Sequence, residues 1–265
     1  MFKVSCVQLC SDNDIDNNLK KTIHYINQAI KIKSDFILTP ETSSFFSSNK
    51  KNLLKFSNKM NKDKYLREIQ KISKIYKKWI LIGSVITKIT NNKLVNRSVL
   101  IGPDGKIKQH YDKIHMYDVR LSSKEYYSES KLTSPGNKIK KFKLPWGILG
   151  MTICYDLRFP SLYRILAKSG ARFLSIPSAF TKTTGEKHWH SLIKARAIEN
   201  FCYVFAPAQS GTHYNKRKTF GHSLIVSPDG NIIAEKSRGE GIISANIDPN
   251  YPIKARRKIP SLKYD

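Results

Sequence analysis

One order of elements is written into this chain twice. Residues 2–9 (FKVSCVQL) read as a strand, and residues 16–33 set Leu19, Ile23, Ile26, Ala29 and Ile30 at helical spacing, with Asp16 in a capping position. FILTP (36–40) is a short buried strand ended by Pro40, residues 62–78 return to helical spacing, and WILIGSVI (79–86) is another strand. SVLIGPDGKIKQHY then gives a hairpin turning at Pro103-Asp104-Gly105. The series begins again with the strand GILGMTIC (147–154) and a helix, PSLYRILAKSG, bounded by Pro160 and Gly170. ARFLSIP matches FILTP, HWHSLIKARAIEN is a helix, FCYVFAPAQ a strand, and SLIVSPDGNIIAE a second hairpin turning at Pro228-Asp229-Gly230.

Strands this short and apolar, alternating with one-faced helices, call for sheets covered by helices. Two such layers packed sheet to sheet predict an α/β fold, a four-layer α-β-β-α sandwich built from two similar halves. No Gly/Ser or Pro-rich linker separates the halves, so residues 1–265 are expected to form a single domain. Residues 44–61 and 118–137 stand out as long inserts, the first as a mobile loop.

The apolar runs are too short to span a bilayer, and the amino terminus lacks the layout of a signal peptide. A cytoplasmic chain is therefore expected, with Cys6, Cys10, Cys154 and Cys202 reduced. The seven histidines and four cysteines make no zinc-binding spacing, so neither a metal nor a cofactor is expected. The formal charge is +27, which raises nucleic acid as a partner. The excess, however, is carried by 36 lysines dispersed along the chain, against only 11 arginines. It reads as composition, and nucleic acid is not expected as a partner.

In helix-covered sheets, sites form beyond the carboxyl ends of strands. That rule selects Glu41 after FILTP, Lys113 after the first hairpin and Cys154 at the end of GMTIC. The three chemistries are complementary. A thiol attacks a carbonyl as thiolate, so a base must take its proton. Glu41 can do so and return it to a departing amine. Lys113, with the Tyr155 backbone N–H, can hold the charge that develops on the carbonyl oxygen. Taken singly, each residue has a structural account, and a Cys–His pair using His188, His190 or His222 stays open on the residues alone.

Three motifs narrow the choice: TPETS around Glu41, YDKIHMYDV around Lys113 and GMTICYDLRFP around Cys154. In this order and at these separations the chain resembles the nitrilase superfamily of carbon–nitrogen hydrolases over about residues 2–260. The resemblance implies the doubled sandwich, a homodimer or larger homo-oligomer, and a Glu-Lys-Cys triad on Glu41, Lys113 and Cys154. It also implies a second glutamate, Glu129, in the segment running from Glu129-Ser130 to Pro135-Gly136. The second half, from SAFTKTTGEKHWH through APAQSGTH and KRKTFGHS, is most similar to the deaminated-glutathione amidase branch. That branch implies hydrolysis of an anionic amide, through a Cys thioester, to 2-oxoglutarate and Cys-Gly. Arg158 is then expected to hold a substrate carboxylate, with Phe180 and Thr184 lining the pocket. Two departures touch this expectation: the loop RLSSKEYYSES lacks the branch's glycine-rich form, and the tail ends slightly short, at Ser261 to Asp265. An ω-amidase acting on 2-oxoglutaramate shares the same triad, and a basic nucleic-acid-binding protein that merely keeps the fold is the non-enzyme rival.

Overall fold

Alternation along the strands decides which side of each sheet a residue faces, and both faces turn out to be buried. A computed structural model describes residues 1–123 and 125–264; Lys124, inside the second insert, and Asp265, at the end of the tail, lie outside the described residues. The first half contains β1 (Phe2–Gln8), α1 (Ile15–Lys31), β2 (Phe36–Leu38), α2 (Lys50–Phe56), α3 (Lys64–Tyr76), β3 (Trp79–Lys88), β4 (Leu94–Ile101) and β5 (Ile107–Asp112). A small hairpin, β6 (Asp118–Arg120) and β7 (Tyr126–Ser128), follows. The second half runs β8 (Lys140–Leu144), β9 (Gly147–Met151), α4 (Pro160–Lys168), β10 (Ala171–Ser175), α5 (Lys182–Asn200) and β11 (Tyr203–Ala206). It ends with β12 (Ser210–Thr212), β13 (Lys218–Phe220), β14 (Ser223–Val226), β15 (Ile232–Lys236), β16 (Gly241–Ile247) and α6 (Tyr251–Lys258).

Among the described residues twelve of these strands form two six-stranded sheets, ordered β16-β1-β2-β3-β4-β5 and β15-β14-β11-β10-β9-β8, while β6 pairs with β7 and β12 with β13. The pairing repeats as the sequence does. β1, β2 and β3 run parallel and β4 and β5 complete the sheet antiparallel. Likewise β9, β10 and β11 run parallel and β14 and β15 follow antiparallel. Each half also gains an antiparallel strand that the repeat does not announce: β16 beside β1, and β8 beside β9.

On β2, Phe36 and Leu38 join the core between the sheets while Ile37 faces the helices; on β3, Leu81 points inward and Ile80 and Ile82 outward. Phe36 meets Phe205 of the opposite sheet edge-on, with ring centroids 6.3 Å apart. Outside the first sheet, Leu19, Ile26 and Ala29 of α1 and Tyr65, Leu66 and Ile69 of α3 close the layer; outside the second, α4 and α5 contribute Tyr163, Leu166, Trp189 and Ile193. The result is the α-β-β-α sandwich.

Several boundaries differ from expectation for identifiable reasons. Asp14, not Asp16, caps α1, accepting from the backbone N–H groups of Asp16 and Asn17. The strand before Cys154 ends at Met151, and Cys154 opens a 3₁₀ turn spanning Cys154–Arg158. The 44–61 insert is not one loop: Asn49 caps the short helix α2, whose Leu53 is buried. α5 begins at Lys182, a turn and a half before the apolar pattern that announced it, and so includes Thr184.

Candidate active site

Glu41 lies three residues beyond the end of β2 and is buried. A side chain on Gly83, next door on β3, would come within 2.0 Å of the Thr39 carbonyl oxygen, which is why a glycine stands there. The Glu41 carboxylate is held on both oxygens: Oε2 accepts from the Ala179 N–H at 2.8 Å, and Oε1 from Asn96 Nδ2 at 2.9 Å and from Lys113 Nζ at 3.0 Å. Burial alone would raise its pKa, but Lys113, the facing Cys154 thiol and Arg217 outweigh it and hold the carboxyl below the ordinary glutamate value.

Lys113 emerges from β5 with its side chain only 2% exposed. Its ammonium donates to Glu41 and to both oxygens of Glu129, at 3.0 and 2.7 Å. Burial opposes the charge, yet the two carboxylates prevail and its pKa lies above that of an ordinary lysine. Glu129 is fixed in turn by the Tyr117 N–H at 2.8 Å and Asn96 Nδ2 at 3.2 Å. Gly136 locks the same loop by donating its N–H to the Lys113 carbonyl at 2.8 Å. A Cβ on Gly136 would lie 2.3 Å from the Asp112 carbonyl oxygen, so the Pro-Gly pair after Glu129 has a packing reason.

Cys154 has φ 48°, a left-handed conformation that a non-glycine residue holds only when its surroundings fix it. Its N–H donates to the Pro177 carbonyl at 3.0 Å. Asp156, fully buried, pins the turn from the other side: Oδ2 accepts from the Ile153 N–H and from the Tyr111 hydroxyl, at 2.8 and 2.7 Å, and Oδ1 pairs with His115 Nδ1 at 2.6 Å. Tyr111 and His115 flank Lys113, so one carboxylate ties the cysteine turn to the lysine loop. The first bond of the 3₁₀ turn runs from the Asp156 N–H to the Ile153 carbonyl. The Tyr155 N–H, one residue earlier, therefore has no acceptor within the turn. Burial and the Glu41 carboxylate push the Cys154 thiol well above an ordinary cysteine, against the opposing pull of Lys113. Two carboxylates already surround one ammonium, and a resting thiolate would add a third negative charge. The free site therefore holds a thiol beside a carboxylate, ready to exchange a proton as a carbonyl carbon is attacked.

These groups stand on the wall of a cavity of about 630 Å³, large enough for a small peptide-like amide. Phe45 and Phe46, from the first insert, and Tyr117, Tyr127 and Phe180 supply its apolar surface, while Lys131 and Lys216 stand exposed at its mouth. Arg217 also lines it, its guanidinium lying 4.9 Å from the centroid of Tyr127 and 5.3 Å from that of Phe46.

The Carbon-nitrogen hydrolase family matches residues 3–257 of this chain. The chain belongs to that family. The deaminated glutathione amidase of Yersinia enterocolitica is 35% identical over 99% of this chain and 92% of its own length. The human protein of the same name is 34% identical over 98% of this chain and 81% of its own. Among solved structures, the Caenorhabditis elegans NitFhit protein superposes with a TM-score of 0.93 at 34% identity; this chain is covered completely and spans 65% of the worm chain. Saccharomyces cerevisiae Nit3, described as a member of branch 10 of the nitrilase superfamily, superposes with a TM-score of 0.87 at 29% identity over 98% of this chain and 94% of its own. Membership in this carbon–nitrogen hydrolase family makes the chain an amide-hydrolysing enzyme.

The structure brings Glu41, Lys113, Glu129, Cys154, Tyr155, Phe180 and Thr184 together on the wall of this cavity. Arg158 is not among the lining residues. It leaves the far end of the 3₁₀ turn, lies over the outer side of Phe180 at 5.3 Å and bonds to His188 Nδ1 at 3.2 Å. The nearby carboxylates are engaged elsewhere: Asp156 by Tyr111 and His115, and Glu199 by Arg196. The arginine that does face the cavity is Arg217, in the KRKTFGHS run that marked the family branch. Asn96 was also invisible in the sequence, save as a lone amide in the apolar strand LVNRSVLI. None of His188, His190 and His222 lines the cavity, so no Cys–His pair is available. Among the described residues, no helix is long and apolar enough to cross a membrane.

Proposed function

We propose that this enzyme hydrolyses deaminated glutathione to 2-oxoglutarate and Cys-Gly through a thioester on Cys154. The observation that carries the reading is the meeting of Glu41, Lys113, Glu129 and Cys154 on one wall, with Arg217 lining the same cavity. Cys154 Sγ attacks the amide carbon and its proton passes to Glu41. The oxyanion is held by Lys113 Nζ and the Tyr155 N–H. As the C–N bond breaks, Glu41 gives the proton to the departing amine, and the acyl group stays on sulfur. Water then attacks the thioester, losing a proton to Glu41, and the acid leaves as the thiol is restored. Glu129 keeps Lys113 aimed throughout.

The substrate's ends are carboxylates. Arg217, stacked between two rings and open to the cavity, supports binding of the 2-oxo acid end, in the role first expected of Arg158; Lys131 and Lys216 favour the entry of an anion. Phe180 and Thr184 shape the acyl pocket. The deaminated glutathione amidases similar to this chain over nearly its full length point to the same amide. The enzyme is expected to act in the cytoplasm as a homodimer or larger assembly.

Quenched turnover followed by intact-protein mass spectrometry tests the reading. The expected result is a 2-oxoglutaryl adduct on the parent enzyme, absent from Cys154→Ala, and a higher kcat/KM for deaminated glutathione than for 2-oxoglutaramate. The reverse preference would replace this substrate with the ω-amidase one; no adduct and no 2-oxoglutarate would overturn the mechanism.

A further inference from the structure

On a face apart from the catalytic cavity, three side chains from three elements converge. His190 lies on α5, His222 in the turn between β13 and β14, and Glu235 on β15. His190 Nε2 and His222 Nδ1 approach the same carboxylate oxygen, Glu235 Oε1, at 2.9 and 2.5 Å. One donor atom from each of the three lies within 4.8 Å of the others. None of the three lines the catalytic cavity.

The arrangement is built rather than incidental. His222 has φ 55° and follows Gly221 at φ 77°, two successive left-handed residues. Its N–H donates to the Ser237 carbonyl at 3.1 Å, and its carbonyl accepts from Trp189 Nε1 at 2.8 Å. The backbone is thus fastened on both sides, which sets the direction of the ring. Phe220 stacks on that ring at 4.1 Å, and the His190 ring meets it edge-on at 5.0 Å. The side chains of His190, His222 and Glu235 remain 35%, 21% and 31% exposed, so an ion can reach them from solvent.

We propose that His190, His222 and Glu235 form a divalent-metal site that takes Zn²⁺ through two imidazole nitrogens and a carboxylate oxygen. Two histidines and a glutamate are a donor set zinc uses, with a fourth position left for water. Ligand bonds of about 2.0–2.2 Å at tetrahedral angles place donor atoms about 3.3 Å apart. The two His–Glu contacts open slightly to reach that spacing, and the two imidazole nitrogens, already within 4.8 Å of each other, settle to it. Each neutral imidazole turns its lone pair to the ion by carrying its proton on the other ring nitrogen, so the ion takes the place of the two shared hydrogen bonds. A bound ion would clip α5, which carries Thr184, to the turn leading from β13 into β14.

Equilibrium dialysis of the full chain against Zn²⁺ tests this, with Cys154→Ser in every sample to remove the catalytic thiol. One ion per chain is expected, with a rise in melting temperature. His222→Asn and Glu235→Gln should each weaken retention by at least about tenfold, since even outer-shell changes cost 10–100-fold in metal affinity. Asparagine is chosen because it tolerates the left-handed backbone, so the melting temperature without zinc reports whether the fold survives. His188→Asn, two residues from His190 but outside the cluster, should bind as the parent does. Equal retention by the parent and His222→Asn, or loss of binding in His188→Asn as well, would overturn the site and leave the trio a hydrogen-bonded clamp.

Discussion

Arg217 and Glu41 hang from the same residue. Arg217 Nη2 donates to the Ala179 carbonyl at 2.8 Å, and the Ala179 N–H donates to Glu41 Oε2 at 2.8 Å. A single residue thereby sets the separation between the cation that lines the cavity and the carboxylate beside the nucleophile. Such a fixed reference matters because misplacing a reacting group by even an ångström slows an enzyme substantially.

Replacing Arg217 by glutamine should therefore separate binding from chemistry. Charge-assisted hydrogen bonds contribute about 1.5–3 kcal/mol, so KM for the anionic amide should rise by about tenfold to a hundredfold. Turnover of a small uncharged amide should change much less. Arg217→Lys should rescue poorly, because the planar guanidinium lies against Tyr127 and Phe46 and an ammonium does not. Initial-rate kinetics on the two amides decide the matter; equal losses on both would remove Arg217 from substrate recognition.

Cys154→Ala should abolish turnover and leave the melting temperature close to the parent's, since a small buried side chain is replaced by a slightly smaller one. Glu41→Gln should cost about 10²–10⁴ in kcat. The parent's thiol, held protonated by burial and by Glu41, should also alkylate slowly with iodoacetamide. Its rate should not climb through the pH range around 8.5 where an ordinary thiol ionises. A fast rate at neutral pH would mean a resting thiolate and a different division of labour between Cys154 and Glu41.

Glu129→Gln tests the aiming of Lys113. The ammonium would lose the negative charge at its closest contact, now at 2.7 Å, and keep the Glu41 carboxylate at 3.0 Å. Since both carboxylates raise the Lys113 pKa, the alkaline limb of kcat should move to lower pH, with kcat down by about 10–100-fold. An unchanged pH profile would reduce Glu129 to a loop residue.

Much of this was readable because apolar alternation and helical spacing survive wherever an element is buried on a regular face. The two hairpins turn at Gly105 and Gly230, with φ 75° and 79°, as their Pro-Asp-Gly signals implied. β8 and β16 were not readable. β8 (KKFKL) has lysine at three of its five positions and is exposed on alternate residues, and β16 finds its partner β1 at the opposite end of the chain. The residues proposed for catalysis were legible because each lies at or within three residues of a strand's carboxyl end. Arg217 was not, since it reaches the cavity from a hairpin far along the chain, whereas Arg158, only four residues after Cys154, is carried outward by the 3₁₀ turn. The metal-site proposal was hidden for the same reason: His190, His222 and Glu235 have no zinc-like spacing and meet only through the fold.

Asp156→Asn should damage both loops it joins. The amide can keep some acceptors but loses the charge that serves the Tyr111 hydroxyl, the Ile153 N–H and His115. Breaking a buried, charge-assisted network of this kind costs about 1–3 kcal/mol. The expected result is a lower midpoint in urea together with a fall in kcat, because the Cys154 turn and the Lys113 loop lose their common anchor. Loss of stability with kcat intact would confine Asp156 to the fold.

His213 gives a pH signature separate from the catalytic groups. It is buried, stacks on Phe46 at 3.9 Å and bonds to the Ser11 carbonyl at 2.7 Å and to Thr219 Oγ1 at 2.8 Å, so it fixes a ring against which Arg217 lies. Burial lowers its pKa from 6.5 to about 4. A folded pKa below the unfolded one means that the folded state favours the neutral ring. Its contribution is complete above pH 6.5 and is lost as pH falls toward about 4, amounting to on the order of 3 kcal/mol. Glu41, whose carboxyl is also held low, contributes above the ordinary glutamate value of 4.5 and weakens only below it, so the two windows barely overlap. Urea denaturation at a series of pH values should show stability declining from pH 6.5 downward, and His213→Gln should flatten that stretch while lowering stability at neutral pH. A parent curve flat from pH 6.5 to 4.5 would show that His213 takes up its proton inside the folded protein without resistance.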